Sequence, residues 1–200
     1  MVAFIILAQI FLSMLNHLPI ILASKSPRRN ELLSLMGLSF SVELKDVDES
    51  YPGDLKPAEI AVYISEKKAK AFTAGAEIVI TADTIVAWNG EILGKPVDRA
   101  HAQEMLKKLS GSRHEVFTGV TLVKGDQMRS FYDRTEVYCR EVSPEEIDFY
   151  IDNYQPFDKA GSYGVQDWWG IAVVKRIEGS YTNVMGLPTE RLYQELLKFA

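Results

Sequence analysis

Residues 77–88, EIVITADTIVAW, constrain the fold more than any other stretch of the chain. The run is nearly continuous in isoleucine, valine and other apolar residues, which suits a strand enclosed within the protein. It predicts a central, buried strand. Asp83 sits in its middle. A carboxylate suits a strand poorly and is costly to bury unpaired, so something must hold it. Two readings stand: a structural salt bridge, or a metal-binding or catalytic role. Asn89-Gly90 is a type I′ hairpin signal, after which the chain returns through residues 91–93 to Gly94-Lys95-Pro96. That hairpin is predicted to bring Lys95 back toward Asp83.

The second constraint lies upstream. Residues 18–23 (LPIILA) form a short apolar run suited to a buried strand, and SKSPRRNELLSLMG follows over 24–37. Ser26 is a natural N-cap with Pro27 at the first helical position, and Gly37 sits where a helix ends. Leu32, Leu33, Leu35 and Met36 are predicted to share the buried face. Arg28 and Arg29 are anomalous, because two cations in the first turn oppose the helix dipole and its unpaired N–H groups. Lys25 adds a third positive charge just outside. A bound polyanion reverses the sign of that conflict, with donors, dipole and guanidinium forks converging on phosphate oxygens. The plainer reading is a solvated arginine pair on an exposed helix end.

Two hundred residues, 47% of them hydrophobic and 24% charged, describe one well-cored domain or two small lobes sharing a sheet. A net charge of −5 argues against broad nucleic-acid binding, so any anion site must be a local basic concentration. The single cysteine, Cys139, rules out an internal disulfide and fits a reducing compartment, predicting a cytoplasmic protein. His17, His101 and His114 make no zinc spacing. Residues 1–15 (MVAFIILAQIFLSML) resemble a signal peptide, yet no Lys or Arg precedes the apolar run and no small-residue cleavage site follows. Residues 1–17 are read as an N-terminal extension, with Met14 as an alternative start and a membrane anchor as the competing reading. Residues 18–200 are read as a single domain.

Along the rest of the chain, residues 39–44 alternate as a strand and residues 46–49 form an acidic loop. Pro57 opens a helix predicted to reach Ala74, with Ala61, Ile64, Ala71, Phe72 and Lys68 on one stripe. Lys68 either snorkels to the edge or reaches a shared anionic pocket. Asp98 caps a helix with Ala102, Met105, Leu106 and Leu109 inward. Strands at 115–123 and 129–141 follow, joined at Gly125-Asp126. Ser143-Pro144-Glu145-Glu146 is a capping box. Residues 155–166 and 178–187 read as loops, 171–177 as a strand, and a final helix starts at Pro188. The pattern predicts a mixed α/β sheet with flanking helices.

Taken together and in order, SKSPRRNELL, VDE at 47–49, Lys68-Ala69, ADT at 82–84, GKP at 94–96, DKAGSYGVQ at 158–166 and GSYTNVMGLP at 179–188 resemble the Maf family of nucleotide pyrophosphatases. That family lies within the inosine-triphosphate-pyrophosphatase-like superfamily. The resemblance covers residues 20–199; the extension at the N-terminus departs from it. It implies an elongated twisted sheet with two lobes around a cleft, a homodimer, and hydrolysis of a nucleoside triphosphate between its α- and β-phosphates. Arg28, Thr84 and Gln166 match the branch acting on dTTP and UTP rather than the branch acting on 7-methyl-GTP. Asp83 matches the family's proton acceptor. The chemistry needs a divalent cation, Mg²⁺ or Mn²⁺, on hard oxygen ligands, for which Glu49 and Asp83 are the candidates. Ser24, Ser26, Arg28, Arg29, Lys68 and Lys95 are candidates for holding the nucleotide. No GxxxxGKS/T loop is present. A non-catalytic nucleotide-binding regulator, suggested by the family's link to septum inhibition, is the alternative from another class.

Overall fold

The computed structural model describes residues 18–72 and 75–199. The readings made for residues 1–17 lie outside the described residues. The elements are β1 (Ile20–Leu22), α1 (Pro27–Leu35), β2 (Phe40–Val42), α2 (Pro57–Lys70), β3 (Ile78–Trp88) and β4 (Glu91–Leu93). They continue with α3 (Arg99–Leu109), β5 (Arg113–Lys124), β6 (Gln127–Cys139), α4 (Pro144–Tyr154), α5 (Trp168–Ala172), β7 (Val174–Glu178), α6 (Tyr181–Met185) and α7 (Thr189–Leu196). No helix among the described residues is long and apolar enough to cross a membrane.

The strands form one seven-stranded mixed sheet in the order β2-β1-β3-β5-β6-β7, with β4 also on β3. The β1 strand runs parallel to both β2 and β3, while β3, β5, β6 and β7 pair antiparallel in succession. As predicted, β3 is the centre. On one edge it is paired along most of its length by β5, from Val79 to Ala87. On the other, β1 takes only Ile78 to Ile80 and β4 only Val86 to Trp88. The backbone between, around Asp83, is left as an open edge. A cleft forms there.

Alternation along β3 divides the core. Ala82 and Val86 join the large cluster with α1, α3, α4 and α7, whereas Ile85 and Ala87 pack with Ile60, Ala61 and Ile64 of α2 on the opposite face. Gly119 of β5 lies directly opposite Asp83 in register. A Cβ there would fall 2.3 Å from the carbonyl carbon of Ala61. The α2 backbone therefore rests on the sheet at a position where no side chain intervenes.

Several local expectations need correction. Leu35 is 76% exposed instead of sharing the buried face of Leu32 and Leu33. The α2 helix ends at Lys70, and its buried stripe is Ile60, Ala61, Ile64, Ser65 and Ala69, with Ala71 exposed. The strand expected over 171–177 begins only at Val174, because Asp167 starts a helical turn that buries Trp169 between Tyr150 and Tyr163. A four-residue aliphatic run cannot distinguish these outcomes by periodicity. The 178–187 loop contains α6, whose N-cap Ser180 accepts a hydrogen bond from the Asn183 N–H. The 155–166 loop contains two 3₁₀ turns, Pro156–Asp158 and Ala160–Ser162. The hairpin at Asn89-Gly90 is as predicted, with both residues at positive φ (47° and 83°).

Candidate active site

The open edge of β3 borders a cleft of about 480 Å³, within the range of small-molecule sites. Its rim is built from the β1–α1 junction, the 44–49 loop, the end of α2, Lys95, residues 158–166 and the end of α6.

The α1 N-terminus forms as the sequence predicts. Ser26 Oγ accepts from the Arg29 N–H at 3.5 Å, and Ser24 Oγ accepts from the Ser26 N–H at 3.2 Å. The two arginines then part company. Arg28 donates to Asp158 Oδ2 at 3.0 Å across the cleft. Burial alone would raise the Asp158 pKa, but hydrogen bonds from Lys159 and Arg28 carry it below the usual carboxylate value. Arg29 is enclosed and donates to Gly186 O (2.8 Å), Ala82 O (2.9 Å), Ser24 Oγ (3.1 Å) and Thr84 Oγ1 (3.0 Å). Four of its five N–H groups thus hold protein atoms. Burial depresses its pKa and the Asp83 charge opposes that shift. Arg29 is a fastener of the β3 edge and the Gly186 turn, with one N–H unpaired among the described residues.

On the α2 face, Lys68 Nζ lies 2.8 Å from Asp83 Oδ1 and 2.9 Å from Glu49 Oε1. Lys68 and Asp83 are largely enclosed, at 18% and 14% side-chain exposure. Burial opposes ionisation of Glu49, but the Lys68 hydrogen bond, with the charges of Lys68, Lys95 and Arg29, leaves its pKa lowered. The neighbouring pair repeats the pattern: Lys67 Nζ holds Asp48 Oδ2 at 2.8 Å, pinning the acidic loop to α2 so that Glu49 faces Lys68. Of the two readings for Lys68, it is the inward one that forms. Of the two for Asp83, the salt bridge forms, but it lies at the cleft edge and not sealed in the core.

Thr84 follows Asp83 on β3 and lines the same cleft. Strand alternation sends it to the opposite face, where its hydroxyl meets Arg29 and, at 3.0 Å, Thr118 Oγ1. Gln166 lines the cleft with its Oε1 buried and without a hydrogen-bond partner among the described residues. Tyr163 lines the same end, and its hydroxyl meets the buried His114 Nε2 at 2.7 Å. Burial pushes the His114 pKa down to about 3, so the ring stays neutral. The segment carrying Tyr163 and Gln166 is tied to the β4 exit by the Gly161 N–H donating to Gly94 O at 3.0 Å. That bond also sets Lys95 beside the cleft.

A family model described as Maf-like protein matches residues 19–199. The chain belongs to the Maf family. It is 53% identical over 188 residues to a protein of Bacteroides thetaiotaomicron named dTTP/UTP pyrophosphatase, covering 92% of this chain and 97% of that one. Proteins of the same name from Cytophaga hutchinsonii (46% identical, 94% and 87% covered) and Porphyromonas gingivalis (44%, 92% and 96%) are also similar. Among solved structures, the Staphylococcus aureus Ham1 protein matches with a TM-score of 0.43 at 21% identity, over 60% of this chain and 71% of that one.

The Maf motifs, scattered over some 160 residues of sequence, meet around one cleft: Ser24, Ser26, Arg28, Arg29, Glu49, Lys68, Asp83, Thr84, Lys95 and Gln166 all line it. The sequence reading missed Asp158, the partner of Arg28, the His114–Tyr163 pair and Gly119. A glycine inside an otherwise β-branched strand was the available signal for Gly119, since such a residue commonly marks close backbone approach.

Proposed function

We propose that this chain hydrolyses dTTP and UTP between the α- and β-phosphates, releasing the nucleoside monophosphate and pyrophosphate. The observation that carries the reading is the Asp83–Lys68–Glu49 cluster at the open edge of β3, facing a basic helix N-terminus across a nucleotide-sized cleft. The names of the similar proteins support the substrate class.

Phosphorus surrounded by anionic oxygens is attacked only when charge is neutralised and water is positioned. The α1 N-terminus and Arg28 hold phosphate oxygens, and Lys95 neutralises the departing pyrophosphate. Lys68 holds Asp83 through Oδ1, leaving Oδ2 to take the proton of the attacking water. The residues fit a divalent cation of the magnesium class. Asp83 and Glu49 are two hard oxygen donors held side by side by one ammonium, and Mg²⁺ is commonly bound by one or two carboxylates, substrate phosphates and water. When bound, such a cation supplies charge neutralisation at the phosphates.

Product analysis with Mg²⁺ tests the reading. Pyrophosphate and monophosphate should appear together, and Asp83→Asn should lower kcat by about 10²–10⁴-fold with the fold retained. Nucleoside diphosphate and inorganic phosphate as primary products would overturn it.

A further inference from the structure

One ammonium serves two carboxylates in this site. Lys68 Nζ touches Asp83 Oδ1 and Glu49 Oε1 at nearly equal distance, 2.8 and 2.9 Å, so it sits between the groups that would grip a metal. A divalent cation entering between the same oxygens must displace the ammonium or accept close repulsion from it. Nor is the surrounding field favourable to a free cation. Seven lysines and arginines but only four carboxylates line the cleft. Among the described residues no group of three or more His, Cys, Asp or Glu side chains is placed to hold a metal, so the protein offers two of the six ligands Mg²⁺ requires.

A triphosphate changes each of these terms. Its oxygens complete the coordination shell, turn the local field negative, and give the displaced ammonium a new anionic partner. We propose that Lys68 and the divalent cation compete for the Asp83–Glu49 pair, so that the cation binds tightly only when a triphosphate takes over the Lys68 ammonium. Lys68 thereby acts as a positioning residue: it holds the two carboxylates side by side, then hands them to the cation as it moves to phosphate. Metal and nucleotide binding are coupled through one side chain, and by linkage the coupling is reciprocal. The inference rests on the proposed pyrophosphatase reading and adds an order of events to it.

The test is Mn²⁺ binding to the full chain, followed by electron paramagnetic resonance of the free ion, with and without a dUTP analogue bearing a non-hydrolysable α,β-methylene bridge. Mn²⁺ binding by the analogue alone is subtracted. Lys68→Met should tighten Mn²⁺ binding in the nucleotide-free protein on the order of 10-fold, and the further tightening by the analogue should shrink. Lys68→Arg, which keeps the charge, should bind free Mn²⁺ as weakly as the wild type. Thermal melting checks that each variant is folded, and Lys68→Gln replaces the methionine variant if that one is not. Should the neutral variant bind free Mn²⁺ no tighter than the wild type while the analogue still tightens it, the cation uses the outer carboxylate oxygens with Lys68 in place, and the competition is refuted. Should the wild type take up no Mn²⁺ even with the analogue bound, the metal-dependent reading of the site fails and this inference falls with it.

Discussion

The His114 ring is neutral because burial makes it so, and that has a measurable consequence for the molecule. Its pKa is pushed down to about 3, from an ordinary value near 6.5 in the unfolded chain, with desolvation as the cause. Between those values the unfolded state binds a proton that the folded state refuses. Stability is therefore undiminished by this group above about pH 6.5 and falls as pH drops toward 3, by about 1.4 kcal/mol per unit. His114→Gln should be less stable than the wild type at pH 7.5, having lost packing and the bond to Tyr163. At pH 5 the gap should narrow by about 2 kcal/mol, since only the wild type carries the protonation penalty. Urea unfolding at the two pH values measures this. A constant gap would mean that the imidazole is reached by water and titrates normally. The neutral ring meets the Tyr163 hydroxyl in an edge-on arrangement at the cleft. Nothing in the residue string linked the two, which lie 49 positions apart.

At the scale of elements, α2 and β3 position the Asp83–Lys68–Glu49 cluster, and the close approach at Gly119 sets their spacing. Ala61, at the contact, and Lys68 are seven residues apart, two turns along one face of the helix. Gly119→Ala forces the helix off the sheet and should cost about 1–3 kcal/mol of stability through overpacking. Because the lift also moves Lys68 relative to Asp83, kcat should drop on the order of 10²-fold, as misplacements of about 1 Å do elsewhere. Gly53→Ala, which meets nothing within 4 Å, is the control and should change neither quantity. A folded Gly119→Ala protein with unaltered kcat would show that α2 does not position the site. The legibility of the sequence follows the same division between local and non-local causes. The caps at Ser26, Asp98 and Ser143, the Asn89-Gly90 turn and the burial of β3 are local chemistry and read correctly. Short elements rescued by tertiary contact, such as α5 around Trp169 and α6 behind Ser180, carry too little periodicity to be read. In the candidate site, the residue list came from motif order, but partners did not. That Arg29 fastens protein atoms, that Thr84 faces away from Asp83 and that Asp158 meets Arg28 all depend on how distant segments dock.

For the whole molecule, base choice is the property that no single element owns. One end of the cleft is walled by Val86 of β3, Val116 of β5 and Tyr163, with Gln166 beside them. These come together only when the sheet and the 158–166 segment have docked. The apolar walls suit a flat ring, and the buried Gln166 Oε1 is an acceptor without a donor among the described residues. Leaving such a group unpaired is costly, so a ligand that supplies an N–H there is selected. Uracil and thymine both offer the imide N–H flanked by carbonyls, matching an amide that accepts and donates. Cytosine presents an acceptor at the same ring position and sets two lone pairs against each other. The thymine methyl is a smaller matter, worth about 1–3 kcal/mol at most in an apolar pocket. We therefore expect comparable kcat/KM for dTTP and UTP, with CTP and dCTP lower by about 10–100-fold, a difference matching 1–3 kcal/mol for an unpaired buried group. Gln166→Leu should erase most of that gap by removing the acceptor, at the expense of the good substrates, while Mn²⁺ binding in the presence of the nucleotide analogue stays near the wild-type level. Steady-state kinetics on the four triphosphates and on 7-methyl-GTP decide the matter. A ranking that puts dCTP or 7-methyl-GTP above both dTTP and UTP would reject this base pocket while leaving the phosphate chemistry at Asp83 standing.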